Sequence, residues 1–343
     1  MKRKVGGIIS AAFALVLGAT AASGDETTAR GTLLLDYRRP AEIPYPDANP
    51  FSAAKAELGR RLFFDPAFSK SRTLSCATCH DPALSWGDGR ARALGEDPAG
   101  MSFRSPTLLN VAWTEPLGWD GKFHDLESVA FTPITGKSAM DNTEAVLLAR
   151  LGAQSDYVAA FAGAFPDGAL SRRNIELALA TYERSIVSGE APFDRWVAGD
   201  EQAIDDSAKR GFDLFTGRAR CAGCHSGWAF TDGSFHDIGV ATGADVGRGR
   251  LFPTSVRLRY AFKTPTLRDV ARRAPYMHDG SAPTLEAVID LYDRGGIDRP
   301  SRSELVRPLN LTAGEKADLI AFLSTLTGAP APPAPGREFG AVP

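Results

Sequence analysis

All four cysteines of this 343-residue chain fall in two five-residue units, Cys76-Ala77-Thr78-Cys79-His80 and Cys221-Ala222-Gly223-Cys224-His225. Two thiols at that spacing can meet the two vinyl groups of one haem, and the histidine that follows at once is placed to give a nitrogen to its iron. Disulfide loops or a zinc site would not require histidine at the fifth position twice. The motifs therefore predict two covalently bound c-type haems. Cys76, Cys79, Cys221 and Cys224 are the expected attachment points, and His80 and His225 the proximal iron ligands.

Such chemistry needs an export route, and the N-terminus supplies one. Lys2, Arg3 and Lys4 precede an apolar run from Val5 to Leu17, and small residues follow up to Gly24. This is the layout of a cleavable secretory signal, expected over 1–23. The run is shorter than the ~20 apolar residues of a spanning helix. The expectation is a periplasmic protein with no membrane span in the mature chain. Its net charge of -2 offers no polyanion-binding surface, so nucleic acid is not an expected partner.

The elements that must position the motifs are duplicated. Phe103-Arg104-Ser105-Pro106-Thr107-Leu108 matches Phe262-Lys263-Thr264-Pro265-Thr266-Leu267, an offset of 159 residues. The same offset carries Asp120-Gly121 onto Asp279-Gly280, Leu126-Glu127 onto Leu285-Glu286 and Val129 onto Val288. Apolar spacing predicts helices over 53–63, 142–151, 174–186, 203–215 and 312–325, the last with a Thr312/Glu315 capping box. Gly- and Pro-rich stretches lie between them, with no alternating strand pattern. The fold class expected is mainly α: two cytochrome c-like haem domains related by an internal repeat, with long irregular loops. The N-terminal domain is expected over 31–195, the C-terminal domain over 196–330, and a loose Pro-rich tail over 331–343.

The repeat makes the two haem sites unequal. Leu285, Val288, Ile289 and Tyr292 share one face of a helix, which puts Tyr292 on its buried side. That position suits either a core tyrosine or a ligand on the far side of the second iron. Its counterpart 159 residues earlier is Pro133, which cannot ligate iron. An open iron can react with peroxide, whereas a six-coordinate one mainly moves electrons. Arg248 and Arg268 are candidates for haem propionate contacts, since guanidinium and carboxylate pair in bidentate fashion.

The order C-x-x-C-H, F-x-x-P-T-L, W-D-G, C-x-x-C-H, F-K-T-P-T-L-R-D-V and A-P-Y-M-H-D-G-S, spread from about Phe51 to Leu326, resembles the bacterial dihaem cytochrome c peroxidase family. Tyr292-Asp293-Arg294-Gly295-Gly296 resembles its MauG branch, where a tyrosine replaces the methionine ligand of the peroxidases. The resemblance implies an enzyme that uses hydrogen peroxide at an open haem to oxidise tryptophan or tyrosine residues of a periplasmic partner protein, through a high-valent dihaem state. A methanobactin-associated relative of MauG is one candidate within that branch. Trp119, in W-D-G, takes the place of the family's tryptophan between the haems and is the expected relay. His278 holds the corresponding position in the second unit and is expected to make a structural or propionate contact. Two alternatives use the same motifs: a peroxidase fed by a small cytochrome, and a dihaem electron carrier that is not an enzyme.

Two departures from the family matter. Its distal Gln and Glu positions are Val129 and Ala139 here, so the proton that peroxide cleavage needs must come from elsewhere. His124, Asp125, Asp141 and Glu144 are the candidates near in sequence, His124 having the most suitable ordinary pKa. The family also holds calcium with an Asn just before its S/T-P-T motif and with carbonyls near A-P-Y. That Asn position is Arg104, a cation that repels calcium and can replace its charge, while carbonyls of Arg273 and Pro275 could still serve an ion.

Overall fold

Two helix crossings organise the molecule, each made possible by a glycine. The structure, a computed structural model, describes residues 31–329, so the expected signal peptide and the 331–343 tail lie outside the described residues. In chain order the helices are α1 (Ala53–Phe64), α2 (Cys76–Cys79), α3 (Leu126–Ala130), α4 (Thr132–Thr135), α5 (Glu144–Gly152) and α6 (Ser155–Ala164). They continue with α7 (Arg172–Arg184), α8 (Pro192–Val197), α9 (Asp206–Thr216), α10 (Leu285–Arg294) and α11 (Ala313–Ser324). The sheet among the described residues is a single pair, β1 (Phe235–His236) antiparallel to β2 (Phe262–Lys263). The chain is mainly helical.

At the first crossing, a Cβ on Gly59 of α1 would lie 2.0 Å from the carbonyl oxygen of Ala178 on α7. At the second, a Cβ on Gly211 of α9 would lie 2.0 Å from the carbonyl oxygen of Asp318 on α11. Only glycine permits such backbone approach. Around the first crossing Leu62, Phe63, Phe68, Trp86, Phe131, Leu179 and Tyr182 form one core. Around the second, Phe193, Trp196, Phe212, Phe230, Phe322 and Leu323 form another.

The sequence offset has a backbone counterpart. Asn110 and Asp269 both adopt left-handed backbone, as do Gly121 and Gly280. Glu115-Pro116 and Ala274-Pro275 are both cis, and the isolated bridges Leu117–Phe123 and Tyr276–Ala282 pair equivalent residues.

Helix starts are set by caps more than by the apolar stripe. Thr143, Ser171 and Asp205 each accept a hydrogen bond from the third backbone N–H of the following helix. Helices expected from 142, 174 and 203 therefore begin at Glu144, Arg172 and Asp206. The Thr312/Glu315 capping box is present as read. α6 went unread because its buried stripe is only Tyr157 and Phe161.

The expected boundary between the units needs correction. Residue 195/196 falls inside α8, whose Phe193 and Trp196 belong to the second core, while Ile186 belongs to the first. The changeover thus lies between Ile186 and Phe193. Tyr37 also packs in the second core, against Phe193, Phe212 and Phe230, so the segment at 31–38 belongs with the C-terminal half.

Candidate haem sites

Each C-x-x-C-H motif sits on a single short turn. The first forms α2, with the Ser75 N–H held by the Thr78 hydroxyl, and the second forms a 3-10 turn over Cys221–Gly223. All four cysteines are free thiols, none joined to its neighbour three residues away. Burial raises the pKa of three of them, to about 11 for Cys79, about 12 for Cys221 and higher still for Cys76, so these three are neutral thiols.

Both histidines are oriented by the same device. His80 Nδ1 donates to the Trp86 carbonyl at 3.2 Å, and His225 Nδ1 donates to the Phe230 carbonyl at 2.9 Å. Both accepting residues adopt left-handed backbone, which turns their carbonyls toward the ring. A main-chain acceptor fixes the proton on Nδ1 and leaves Nε2 as the lone-pair nitrogen. Burial lowers both pKa values, so both rings are neutral.

Tyr292 lies in the last turn of α10. The residue is half-buried, and the Cys221 and Cys224 thiols are near enough to act on its hydroxyl. Burial first, then those thiols, push its pKa up. The corresponding segment of the first half is broken. α3 ends at Ala130, and α4 restarts at Thr132 with Pro133 in its first turn. Proline lacks the N–H that would continue the ladder and clashes with the carbonyl four residues back.

Trp119 joins the halves. Its indole Nε1 donates to the Arg104 carbonyl at 3.0 Å, and its own carbonyl accepts from the Lys263 N–H at 2.9 Å. Lys263 is a residue that the sequence reading used only to define the repeat. Its ammonium donates to the Pro116 carbonyl, and burial, partly offset by Glu115, lowers its pKa to about 8. His278 stacks on Phe262 at 3.7 Å and donates from Nε2 to Asp245 at 2.7 Å, a structural contact.

The two candidate arginines are both engaged. Arg248 clamps the loop after Trp119, donating to the carbonyls of Asp120 at 2.8 Å and Gly121 at 3.2 Å, with its guanidinium over Phe235. Arg268 is fully buried and pairs with Asp194 at 2.7 Å, while Nε donates to the Trp228 carbonyl. Its Nη2 is buried with no hydrogen-bond partner.

The proton-donor candidates are at the surface. His124 is exposed, and Asp125 caps α3 through the Ser128 N–H. Asp141 pairs with Lys70, and Glu144 lies 3.6 Å from Arg172. Val129 packs beside the small cluster of Val111, Leu117, Leu126 and Ala180. Ala139 is buried under Glu96, whose N–H it binds.

The chain resembles known proteins along most of its length. The family described as di-haem cytochrome c peroxidase matches residues 53–202. The methylamine utilization protein MauG of Methylorubrum extorquens is 50% identical over 297 residues, spanning 86% of this chain and 84% of that one. The protein of the same name from Methylophilus methylotrophus is 47% identical, over 85% of this chain and 88% of its own. The crystal structure of a MauG-like protein associated with microbial copper homeostasis superposes with a TM-score of 0.79 at 32% identity, covering 85% of this chain and 94% of that one. The chain belongs to the di-haem cytochrome c peroxidase family. It is a haem-dependent, peroxidase-like oxidoreductase carrying two c-type haems.

The residues present fit those groups. Two pairs of unlinked thiols, two neutral imidazoles with Nδ1 satisfied, and a buried unpartnered guanidinium nitrogen on Arg268 form a suitable donor set. Calcium is different. The Arg104 Nη2 donates at 2.8 Å to the Arg273 carbonyl, the oxygen that an ion would need, and the Arg273 guanidinium is close enough to repel it. Two buried guanidinium groups at one place do not fit a divalent cation, and the reading that the Arg273 carbonyl stays available is corrected.

Proposed function

We propose that this enzyme is a MauG-type oxidase, exported to the periplasm, which takes electrons from tryptophan or tyrosine residues of a partner protein and delivers them to hydrogen peroxide. The observation that carries this reading is the contrast at one repeat position: Tyr292 on an unbroken helix beside Cys221 and Cys224, Pro133 at a break in the other half. No helix among the described residues is long and apolar enough to cross a membrane.

In this reading Cys76 and Cys79 would hold one haem, with His80 as an iron ligand, and Cys221 and Cys224 would hold the other, with His225 and Tyr292 as candidate ligands. The bound haems supply the redox chemistry with peroxide. Pro133 keeps the far face at His80 free of a protein ligand, so that peroxide can reach it. Burial makes the Tyr292 phenol reluctant to ionise, and only a cation within its cavity reverses that preference. An anionic oxygen ligand favours the more oxidised state, which suits withdrawing electrons from a protein residue better than accepting them from a small cytochrome. Trp119, bonded to Arg104 on one side and Lys263 on the other, is the side chain through which charge passes between the halves. The Arg268 Nη2 is the donor left for a propionate.

Spectra of the ferric holoprotein test the proposal. One high-spin and one low-spin haem are expected, together with reaction with peroxide and slow turnover with reduced cytochrome c. Fast steady-state oxidation of reduced cytochrome c would replace this reading with a cytochrome-fed peroxidase. Two low-spin haems inert to peroxide would make the protein an electron carrier.

A further inference from the structure

The loop that leads into β2 carries an exposed apolar tip beside the segment of Trp119. Its stem is tied by main-chain bonds, from the Arg248 N–H to the Ala261 carbonyl and from the Tyr260 N–H to the Val246 carbonyl, both at 2.8 Å. The two sides approach so closely that a Cβ on Gly249 would lie 2.9 Å from Arg259 Cα. Beyond the stem Leu251, Phe252 and Val256 are exposed, and Val256, at 62%, is the most exposed large hydrophobic residue among the described ones. The Phe252 ring lies 5.0 Å from the Arg248 guanidinium, which in turn donates to the carbonyls of Asp120 and Gly121. The tip is therefore continuous with the residues that follow Trp119.

The same loop is charged in one sense. Residues 246–261 hold four arginines and no carboxylate, in a chain of net charge -2. The segment before the matching motif of the first half, 87–102, is mixed instead, with Asp88, Glu96 and Asp97 against Arg90 and Arg92. Arg257 is exposed, and its guanidinium makes no hydrogen bond or ion pair among the described residues. Arg259, also exposed, donates to the neighbouring Tyr260 hydroxyl at 3.2 Å and meets no carboxylate there. Elsewhere on the surface Arg60, Arg210 and Arg218 each pair with one. Of the carboxylates close to the loop, Asp120 lies 3.7 Å from Arg250, and Asp245 is bonded to His278.

We propose that the loop from Arg248 to Arg259 is the docking face for the partner protein, and that the partner meets it with an acidic surface around apolar side chains. The proposal rests on the reading of a protein as the electron source. Exposed apolar residues rimmed by polar ones mark interaction sites, and arginine and aromatic residues are enriched in them. Positive charge without a partner of its own steers an acidic one to the face. A second copy of this chain would set arginine against arginine, which disfavours self-association. A partner seated here lies against the residues that follow Trp119, the side chain assigned to carry charge between the halves.

Two synthetic peptides test the proposal. Each has one tryptophan and several leucines, set among aspartates and glutamates in one and among lysines in the other. Binding to the holoprotein is followed without peroxide, by fluorescence anisotropy. At low ionic strength the acidic peptide should bind about tenfold more tightly, and in about 1 M salt the difference should vanish. Arg257→Glu combined with Arg259→Glu should reverse the preference, and Phe252→Ser should weaken the acidic peptide severalfold. Arg195→Glu, on α8, should leave binding as it is. Equal binding of the two peptides, or a double variant that binds as the native protein does, would overturn the proposal. Tighter binding of the native protein to phosphatidylglycerol vesicles than to the acidic peptide would overturn it too, as would a native dimer that the double variant dissociates. If the acidic peptide binds as expected but its tryptophan survives added peroxide, the docking face stands and the proposed function falls.

Discussion

In the N-terminal half the helix after the Asp-Gly turn stops at Ala130 and restarts at Thr132, whereas its counterpart in the C-terminal half runs unbroken from Leu285 to Arg294. The turns that precede the two segments match closely, down to a cis proline and a left-handed glycine. The histidines are held by the same kind of carbonyl, and the helix crossings by the same kind of glycine contact. What differs is confined to a few side chains on an otherwise shared frame. Pro133 stands where the other half has Tyr292, and Glu183 where it has Leu323. On the proposed function, the shared frame would hold a haem in each half and these few positions would separate their roles.

The comparison breaks most visibly if the two histidines are exchanged for alanine one at a time. His80→Ala should abolish the reaction with peroxide. His225→Ala should leave a reactive high-spin centre but remove oxidation of the partner protein. Optical and electron paramagnetic spectra of each variant, before and after peroxide, check this. Equal loss of peroxide reactivity in both would erase the distinction between the halves.

Tyr292→Phe and Tyr292→Met should alter only the low-spin signal. Methionine should also raise the reduction potential of that centre, because a neutral thioether favours the reduced iron relative to an anionic oxygen. Potentiometry of the two centres separately would show it. An untouched low-spin signal would return Tyr292 to a purely packing role.

Trp119→Phe should leave the first reaction with peroxide unchanged and slow oxidation of the partner. An aromatic ring is kept, though a smaller one, and the lost hydrogen bond to the Arg104 carbonyl costs about 0.5–1.5 kcal/mol. The two rates measured on the same sample separate relay from packing.

The crossings give a control in which the halves should behave alike. Gly59→Ala and Gly211→Ala each drive a methyl to within 2.0 Å of a main-chain oxygen, so each should lose about 1–3 kcal/mol or more by overpacking. Thermal unfolding of holoprotein would test the equality. A loss in one variant only would mean that the two crossings carry unequal shares of the stability.

Some of this was legible in the residues and some was not. The cysteine–histidine motifs, the 159-residue offset and the helix that carries Tyr292 are local patterns, whereas the helix break at Pro133 is seen only in the structure. The domain boundary was not legible, because Pro192 to Val197 reads as a linker until Phe193 and Trp196 are seen in the second core. The burial of Glu183 was not legible for a different reason. In sequence Glu183 is one more charged residue in Tyr182-Glu183-Arg184, and only the crossing geometry shows that Arg184 turns away and that a leucine holds the equivalent place.

The smallest effect expected concerns calcium, and it sharpens the comparison with the family. Arg104 is only 9% exposed and bonds to the Arg273 carbonyl across the seam between the halves. It supplies a fixed positive charge and a main-chain contact at the place where relatives are expected to hold an ion. Chelation with EDTA should therefore leave the unfolding temperature and the peroxide rate of the native protein unchanged. Arg104→Asn removes the charge, frees the Arg273 carbonyl and restores an oxygen ligand. That variant should be less stable in EDTA and should regain stability when calcium is added, by an amount that grows with the logarithm of ion concentration once the site is mostly filled. Calcium-dependent stability in the native protein would mean that an ion binds despite two guanidinium groups. Absence of any calcium response in Arg104→Asn would mean that the carbonyls of Arg273 and Pro275 do not converge on a common point.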